Sequence, residues 1–434
     1  MLKSDSRKII DGDTFIAIKG IEKDGHDYIE EAIKKGANKI IAEYGNYSVD
    51  TILVNSTKEY LDSYLKENMP PIKIIGVTGT NGKTTTCYLI WKTFKLLNIK
   101  CAYIGTLGFY LSEKERDLDN TTPGGIELYE LIKEAKFKEY EYIVMETSSQ
   151  ALDQGRLDFI EFDYAIFTNL TQDHLDYHKT MENYVIAKRK LFTNLKENGV
   201  GIINLDDPCA NYFEIGNYVT YGYSESDYQL VGDNQVFKIN EEKYEMNILG
   251  KYNIYNMSAA ICLFYQLGYN HNDLKDVVIL CDSPVGRMDL IKKGDNKIII
   301  DYAHTPDAME NILNCVSDIA HSKIITIIGC GGNRDKTKRP IMGSVATKKS
   351  DYVIFTSDNP RDENPDAILL DITKELDTFN YEIEPNREIA IKKGIQFLMK
   401  NDILLVLGKG HETCQIIRGE KIFFDDKKIV LENI

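Results

Sequence analysis

The stretch Ile72-Lys-Ile-Ile-Gly-Val-Thr-Gly-Thr-Asn-Gly-Lys-Thr-Thr85 joins a short apolar run to three glycines and a Lys-Thr pair. Glycines at such a turn let backbone N–H groups approach phosphate oxygens, and a helix that begins there adds partial positive charge. Lys83 would reach the β- and γ-phosphates, and the Thr84 hydroxyl would bind Mg²⁺. The stretch therefore predicts a nucleotide-binding loop between a strand over 72–77 and a helix over about 84–97.

This loop departs from the strict P-loop pattern, which requires glycine at position 77 where the chain has Val77. The first glycine, Gly76, comes one residue too early. The alternative is a tight strand–helix turn that binds no ligand. The loop predicts nucleotide binding but does not by itself name a reaction.

Short apolar runs alternate with helical stretches along most of the chain, which predicts an α/β protein with parallel sheets. The region 218–248 differs, because its polar residues and short alternating runs are typical of a small antiparallel insert. The apolar runs cover residues 72–77, 142–145, 297–301, 324–328, 352–355 and 403–407.

The chain has 434 residues, which is too long for one ordinary hydrophobic core. Met69-Pro-Pro71 and Ser283-Pro-Val-Gly286 interrupt the pattern of strands and helices. We therefore expect three domains over residues 1–70, 71–286 and 287–434.

Composition excludes several classes of protein. A net charge of −15 argues against a protein that coats nucleic acid, and the eight cysteines are scattered singly without a C-x-x-C pair. We find no apolar stretch of the length that a signal peptide needs. No apolar run approaches the roughly 20 residues of a membrane span. We expect a cytoplasmic protein with reduced thiols and neither nucleic acid nor membrane as a partner.

A second group of residues suggests a metal site. Glu146 ends an apolar run at 141–145, where the carboxylate could bind a magnesium–nucleotide complex. His174 and His178 are four residues apart, a spacing that would also suit a zinc pair on a helix, but no H-E-x-x-H pattern accompanies them. Lys188, from its spacing alone, is typical of a solvated surface lysine.

Several motifs resemble those of the Mur ligase family and occur in that family's order, from Asp5-Ser-Arg7 to Glu412. The offset Gly76 is one of them. The others are Glu146-Thr-Ser-Ser149, Phe167-Thr-Asn-Leu170, Asp173-His-Leu-Asp176, Gly250-Lys-Tyr-Asn253, Gly286-Arg-Met288, Asp301-Tyr-Ala-His-Thr-Pro306, Gly329-Cys-Gly-Gly-Asn-Arg-Asp335 and Gly408-Lys-Gly-His-Glu412.

The resemblance implies an ADP-forming ligase of peptidoglycan and cell wall synthesis that makes an amide bond through an acyl phosphate. It implies an N-terminal domain for a UDP-sugar, a central ATPase domain and a Rossmann-like C-terminal domain for the incoming amino acid. The acceptor would be a UDP-N-acetylmuramoyl-dipeptide. We expect a monomer.

The resemblance also assigns roles to residues. Lys83, His174 and Lys188 would be catalytic, and Lys188 would react with CO₂ to give an N6-carboxylysine. Mg²⁺ would bind near Thr84, Glu146, His174 and Lys188. ATP would contact Gly79, Thr80, Asn81, Gly82, Lys83, Thr84, Thr85, Asn256, Arg287 and Asp301. The UDP-linked dipeptide would contact Ser4, Ser6, Asn120, Thr121, Thr122, Ser148, Gln154 and Arg156. Gln150 stands where relatives commonly have histidine, which puts that contact in doubt.

The incoming amino acid would be meso-diaminopimelate. Asp358-Asn-Pro-Arg361 resembles the family's signature for it, although Asn-Pro is also an ordinary turn sequence. A guanidinium binds a carboxylate through two parallel hydrogen bonds, which suits the second carboxylate of this amino acid. The expected contacts are Arg334, Asp358, Asn359, Pro360, Arg361, Gly408 and Glu412.

Four alternatives remain at this point. The same ligase could add L-lysine, which has only an ammonium at its far end. A folylpolyglutamate-synthase-like ligase shares the loop and the acyl-phosphate chemistry. A P-loop protein without ligase activity would keep the loop alone. A nucleic-acid ATPase could use Lys336, Lys338 and Arg339, although the acidity of the chain opposes it.

Overall fold

The computed structural model describes residues 1–20, 23–232, 235–319 and 321–434. Its main sheets follow one another along the chain. The predicted domain limits at residues 70 and 286 stay a prediction, but each main sheet is formed by strands from one continuous part of the chain. The predicted α/β class with parallel sheets is confirmed.

The N-terminal sheet is parallel and has the order β1-β2-β3-β4. Phe15 and Ile40 of its inner strands are buried and pack with Ile29 from a flanking helix. Its strands are β1 (Leu2–Lys3), β2 (Thr14–Ile16), β3 (Lys39–Ala42) and β4 (Asp50–Leu53), and its helices are α1 (Ile29–Lys34) and α2 (Thr57–Glu67).

The central sheet has the order β15-β14-β13-β12-β11-β10-β5-β9-β6-β7-β8. Its strands are β5 (Lys73–Thr78), β6 (Cys101–Gly105), β7 (Gly108–Tyr110), β8 (Lys114–Arg116), β9 (Tyr142–Glu146), β10 (Phe162–Phe167), β11 (Leu195–Asn204), β12 (Tyr218–Gly222), β13 (Tyr228–Val231), β14 (Val236–Ile239) and β15 (Glu242–Glu245). Its helices are α3 (Lys83–Leu96), α4 (Gly125–Phe137), α5 (Ser149–Asp153), α6 (Leu175–His178), α7 (Met181–Thr193), α8 (Lys251–Gln266) and α9 (His271–Val278).

Strand β5 lies between β10 and β9 and is parallel to both. The expectation that Gly76 belongs to the phosphate loop is wrong, because Gly76 lies inside β5. A Cβ atom at this position would come 2.6 Å from Cδ1 of Leu191 and 2.9 Å from Cε1 of Phe162. Gly76 is therefore a packing glycine, which lets α7 approach the sheet closely.

The small antiparallel insert expected within 218–248 is confirmed, although it begins at β13 and not at residue 218. Strands β13, β14 and β15 are antiparallel, but β12 pairs in parallel with both β11 and β13. These strands extend the central sheet at its edge instead of forming a separate element. Residues 233–234 of this region lie outside the described part of the chain.

The C-terminal sheet has the order β16-β17-β21-β18-β19-β20 and is parallel except for the β16–β17 pair. Its strands are β16 (Asp289–Lys293), β17 (Asn296–Asp301), β18 (Ile324–Ile328), β19 (Tyr352–Phe355), β20 (Tyr381–Ile383) and β21 (Ile403–Leu407), and a separate hairpin follows as β22 (Cys414–Ile417) and β23 (Glu420–Phe423). Its helices are α10 (Pro306–Ser317), α11 (Lys338–Lys349), α12 (Pro365–Thr373), α13 (Arg387–Phe397) and α14 (Asp426–Glu432).

Hydrophobic residues cover both faces of this sheet, and every residue of β21 is buried. Because β17, β21 and β18 are parallel, their carboxyl ends meet at one edge of the sheet. The loops after residues 301, 328 and 407 leave the sheet at this edge. In the described part of the chain, no helix is long and apolar enough to cross a bilayer.

A fully buried ion pair fastens α13 to α14. Nε of Arg387 donates to Oδ1 of Asp426 at 2.8 Å, and Nη2 donates to Oδ2 at 2.7 Å and to the Leu407 carbonyl at 2.9 Å. Both side chains are 0% exposed. Removal of one partner would leave the other charge buried without compensation.

We predict that Asp426→Asn lowers the free energy of unfolding by about 3–5 kcal/mol, because the Arg387 guanidinium would lose its buried counter-charge. Urea unfolding followed by circular dichroism measures this. Glu310→Gln is the control, because Glu310 pairs with Lys349 at the surface and should change stability by less than about 1 kcal/mol. Equal stability of the two variants would contradict the prediction.

Candidate active site

The phosphate loop, residues 79–82, leaves the carboxyl end of β5 and turns where only glycine fits. Gly79 and Gly82 have φ of 150° and 85°. A Cβ at Gly79 would lie 1.9 Å from Oγ1 of Thr168, and one at Gly82 would lie 2.4 Å from Oδ1 of Asn256. Thr168 also donates from Oγ1 to the Asn81 carbonyl at 2.7 Å. The neighbouring strand β10 therefore shapes the loop through the residues that follow it.

Lys83 is the first residue of α3 and folds back into the loop. Its Nζ donates to the carbonyls of Gly79 at 2.9 Å and Thr80 at 2.8 Å. Burial lowers the pKa of Lys83, although Glu146 opposes the change. The loop thus holds a partly desolvated cation beside backbone N–H groups at a helix N-terminus, which is an arrangement that favours phosphate.

Glu146 ends β9 and accepts four hydrogen bonds. Tyr103 Oη donates to Oε1 at 2.6 Å and the Thr106 N–H at 2.8 Å, while Oε2 accepts from Thr84 Oγ1 at 2.8 Å and Thr106 Oγ1 at 3.1 Å. The carboxylate is buried next to the Thr84 hydroxyl. Because Mg²⁺ prefers oxygen donors of this kind, Thr84 and Glu146 fit the ion.

Tyr103 and Thr106 lie outside every motif named from the sequence. Tyr103 belongs to β6 and Thr106 directly follows it, and β6 is the parallel neighbour of β9. The carboxyl ends of neighbouring parallel strands lie together. The apolar run over 101–105 therefore predicts that residues at its end lie beside Glu146.

Lys188 is 1% exposed, so its interpretation as a solvated surface lysine is wrong. Helix α7 packs on β5 and directs this side chain under the phosphate loop, where Nζ donates to the Gly79 carbonyl at 2.7 Å. The Nζ atom also lies 4.5 Å from the centre of the Tyr184 ring. Burial and then the neighbouring charge of Lys83 lower the pKa of Lys188.

His174 and His178 do not form a helical pair. His174 precedes α6 with a left-handed φ of 54°, and its Nε2 lies 3.4 Å from Oδ2 of Asp173. His178 is buried, and its Nε2 lies 2.9 Å from Oγ of Ser149. Burial lowers the pKa of His174 to about 4 against the opposing charge of Asp173, so this imidazole is neutral near pH 7.

This geometry does not support the alternative zinc site. Within the ranges that the structure describes, no three His, Cys, Asp or Glu side chains are grouped so that they could hold a metal ion.

Four of the eight residues expected to bind the UDP-linked dipeptide form one network beside Glu146. Arg156 donates from Nη1 to the Thr122 carbonyl at 3.0 Å and from Nε to Oε1 of Gln154 at 2.9 Å. Thr122 donates from Oγ1 to the Glu146 carbonyl at 2.8 Å and accepts at 3.0 Å from the N–H of Ser148. These side chains therefore lie beside the carboxyl end of β9.

The other expected contacts are less closely joined to this network. Thr121 is linked to it through Thr106, with 3.1 Å between their hydroxyl oxygens, and Asn120 is exposed next to it. Ser6 donates to Glu31 at 3.1 Å and Ser4 is exposed, both on the N-terminal sheet. Over the described ranges, no hydrogen bond joins these two serines to the network. Gln150 accepts a 3.4 Å hydrogen bond from Ser149.

Three residues expected at the nucleotide lie around the start of α3. Asn256 on α8 accepts from Thr86 Oγ1 at 3.3 Å. Arg287 reaches across from the start of the C-terminal part, with Nη2 3.3 Å from Thr84 Oγ1 and its guanidinium carbon 4.4 Å from the Tyr302 ring. Asp301 accepts 2.7 Å bonds from two backbone N–H groups and has no direct contact with the loop in the described part of the chain.

A further contact joins the two parts and was not expected. Asn81 in the phosphate loop donates from Nδ2 to Oδ2 of Asp307 on α10 at 2.8 Å. Together with Arg287, it brings the C-terminal part against the loop.

The residues expected to bind the amino acid gather at the carboxyl edge of the C-terminal sheet. Asn359 donates from Nδ2 to Oε2 of Glu412 at 2.8 Å. Arg361 has a left-handed φ of 51° and donates from Nη1 to the Gly332 carbonyl at 2.7 Å. A Cβ at Gly408 would lie 2.5 Å from Oδ2 of Asp358, so these two loops touch. Pro360 is buried between Asn359 and Arg361.

This pocket is rich in cations. Arg361 and Arg334 both lie against Gly331, where a Cβ atom would be 2.8 Å from Nη1 of Arg361 and 3.8 Å from Cγ of Arg334. Burial and then the charge of Arg334 lower the pKa of Arg361. Arg339 belongs instead to the fold, because it is 1% exposed and pairs with Glu363 and Asp371. The nucleic-acid alternative loses support, since Lys336 also pairs with Glu363.

Family models match in three places: a Mur ligase family catalytic domain over residues 1–75, a Mur ligase middle domain over 77–264 and a Mur ligase glutamate ligase domain over 286–410. A UDP-N-acetylmuramoyl-L-alanyl-D-glutamate–2,6-diaminopimelate ligase of Fusobacterium nucleatum is 42% identical, with 100% of this chain and 93% of the relative covered. The ligase of the same name from Clostridium perfringens is 41% identical, over 99% of this chain and 94% of the relative.

The solved structures include an enzyme of that name. It superimposes with a TM-score of 0.69 and 31% sequence identity, over 100% of this chain and 94% of the solved one. Since similarity at this level extends from end to end, the chain belongs to the Mur ligase family.

Proposed function

We propose that this protein is an ATP-dependent ligase that adds meso-2,6-diaminopimelate to UDP-N-acetylmuramoyl-L-alanyl-D-glutamate and releases ADP and phosphate. The observation that supports this best is the end-to-end similarity to ligases whose names state that reaction. The phosphate loop, the Glu146 network and the cation-rich C-terminal pocket supply the parts that the reaction needs.

In the first step, a carboxylate oxygen of the dipeptide attacks the γ-phosphorus of ATP. An acyl O–P bond forms, the bond to the β-phosphate oxygen breaks, and ADP leaves. Two anions must approach each other, so positive charge and hydrogen-bond donors lower the barrier. Lys83 and the N–H groups of the loop would stabilise the phosphates, and Arg287 would add charge beside Thr84.

Thr84 and Glu146 would hold Mg²⁺, which when bound screens the phosphate charge. Tyr103 and Thr106 keep the Glu146 carboxylate oriented through three of its four hydrogen bonds. In the second step, the amine of the amino acid attacks the acyl carbon, phosphate leaves and the amine loses a proton.

Lys188 would act as a carbamate. An ammonium beneath the loop would repel a metal ion, whereas a carbamate offers oxygen ligands. The neutral amine forms a new N–C bond to CO₂ and releases a proton. The lowered pKa of Lys188 favours the neutral amine, which supports this reaction.

The C-terminal pocket would select the amino acid. Arg361 can bind the far carboxylate of meso-diaminopimelate through two parallel bonds, and Arg334 adds positive charge beside it. L-Lysine lacks this carboxylate, so the two guanidinium groups would face no anion and the bidentate contact would be lost. Ser4 and Ser6 of the N-terminal sheet would contact the uridine end of the acceptor.

We predict that ADP release by the purified protein requires both UDP-N-acetylmuramoyl-L-alanyl-D-glutamate and meso-diaminopimelate, with far less release when L-lysine replaces the latter. A coupled assay for ADP measures this. Equal turnover with L-lysine would contradict the role of Arg361. Release that depends on a folate and glutamate would favour the folylpolyglutamate alternative.

Arg361→Ala should lower kcat/KM for meso-diaminopimelate by ten- to a hundredfold, since a lost charged hydrogen bond costs about 1.5–3 kcal/mol. Steady-state kinetics with saturating ATP and acceptor measure the change. Arg418→Gln is the matched control, because Arg418 is exposed on the turn of the neighbouring hairpin. An equal loss in both variants would argue against a direct contact from Arg361.

Lys188→Ala should lower kcat by about 10²- to 10³-fold, as expected when a preorganised charge is removed, and added formate or acetate should restore part of the activity. Lys190→Ala on the same helix is the control, because Lys190 binds a surface carbonyl of Asp153. The carbamate should also give a new ¹³C resonance in ¹³CO₂ that Lys188→Ala lacks. Full activity of Lys188→Ala would exclude the carbamate from the reaction.

A further inference from the structure

Lys409 is a charged residue at the amino-acid pocket to which the sequence assigned no role. It follows Gly408 after β21, and its side chain is 0% exposed although it lies between two loops that reach solvent. A buried ammonium is stable only when its hydrogens find acceptors.

Each of the three hydrogens of this ammonium has an acceptor. Nζ donates to Oδ1 of Asn359 at 3.2 Å, to Oε2 of Glu412 at 2.9 Å and to the Cys414 carbonyl at 2.7 Å. Lys409 therefore joins the loop at Asn359, the loop at Glu412 and the start of β22.

These bonds determine which way the Asn359 amide faces. Oδ1 of Asn359 receives both Lys409 and the N–H of Ile416, the latter at 3.0 Å. Both partners are donors, so only the oxygen can occupy that side. Nδ2 must then point the other way, where it donates to Oε2 of Glu412.

The same hydrogen bonds use only one of the two carboxylate oxygens of Glu412. Its Oε2 accepts from both Lys409 and Asn359, whereas Oε1 has no hydrogen-bond partner in the described part of the chain. The side chain is 28% exposed, and this free oxygen is not fully buried. A carboxylate held by one oxygen can still bind a cation with the other.

We propose that Lys409 is a positioning residue: it fixes Asn359 and one oxygen of Glu412 so that the other oxygen receives the distal ammonium of the incoming amino acid. This rests on the proposed function, since it concerns the same pocket. Arg361 would then bind the distal carboxylate while Glu412 binds the distal ammonium, and the pair would distinguish a diamino diacid from lysine and from a simple diacid.

The charge of Lys409 has a second effect in this pocket. Burial raises the pKa of Asp358 and the nearby Glu412 carboxylate adds to the rise, while the Lys409 ammonium opposes it. Without this cation, Asp358 and Glu412 would lose a positive charge that lies close to both of them.

The test compares Lys409→Met with the unchanged chain, because methionine keeps the length and bulk of lysine without its charge. We expect kcat/KM for meso-diaminopimelate to fall about tenfold or more, chiefly through KM, as the loss of a charged contact predicts. Exchange of label between ADP and ATP, which needs the acceptor but no amino acid, should change less than about twofold.

A second substrate separates positioning from general damage. In 2-aminopimelate the distal amine is replaced by hydrogen, so Glu412 has no ammonium to bind. For this substrate the variant should lose less than about threefold in kcat/KM, since the contact that Lys409 supports is already missing. Equal losses with both substrates would overturn the proposal, as would an unchanged KM for meso-diaminopimelate.

Controls keep the outcomes distinct. Lys393→Met removes a partly exposed lysine of α13 that pairs with Glu382 and Glu384, and it should leave all rates unchanged. Lys409→Gln serves if Lys409→Met does not fold; if neither variant folds, Lys409 supports the fold and the proposal is wrong. Absence of acceptor- and diaminopimelate-dependent ADP release by the unchanged chain would refute the proposed function itself.

Discussion

Two lysine ammonium groups donate to the same backbone carbonyl, that of Gly79: Nζ of Lys83 at 2.9 Å and Nζ of Lys188 at 2.7 Å. Like charges so close together in a buried place are costly, and each gains from an anion or from loss of its proton. Burial lowers the pKa of both lysines, and the charge of Lys83 lowers that of Lys188 further. This arrangement supports phosphate binding beside Lys83 and the carbamate that we propose at Lys188.

Glu146 joins the start of α3 to the Thr122 network. Its carboxylate accepts a hydrogen bond from the Thr84 hydroxyl, and its backbone carbonyl accepts one from the Thr122 hydroxyl. Because β9 lies next to β5 in the sheet, a displacement of either loop would disturb the other. The sheet therefore fixes the phosphate loop relative to the Thr122 network, and Arg287 and Asp307 bring the C-terminal part against the loop.

Several features could be predicted from the sequence because they are local. The strands 324–328, 352–355 and 403–407 appear at those residues, since buried parallel strands need continuous apolar runs. The nucleotide loop is recognisable because glycines and Lys-Thr must be adjacent in the chain. Gly76 was assigned to the phosphate loop because the sequence alone does not distinguish a glycine required for packing from one required in a loop. The structure shows that Gly76 packs against Leu191.

The sequence by itself determined the α/β class, the phosphate loop and the order of motifs that identifies the family, because each depends on neighbours along the chain. Only the tertiary structure decided that Lys188 is buried, that Tyr103 and Thr106 hold Glu146, and that Lys409 joins Asn359 to Glu412. Those contacts link residues that are far apart in the chain or hidden inside polar stretches. Charge and spacing cannot tell a solvated lysine from a buried one, because burial depends on which elements pack over the side chain.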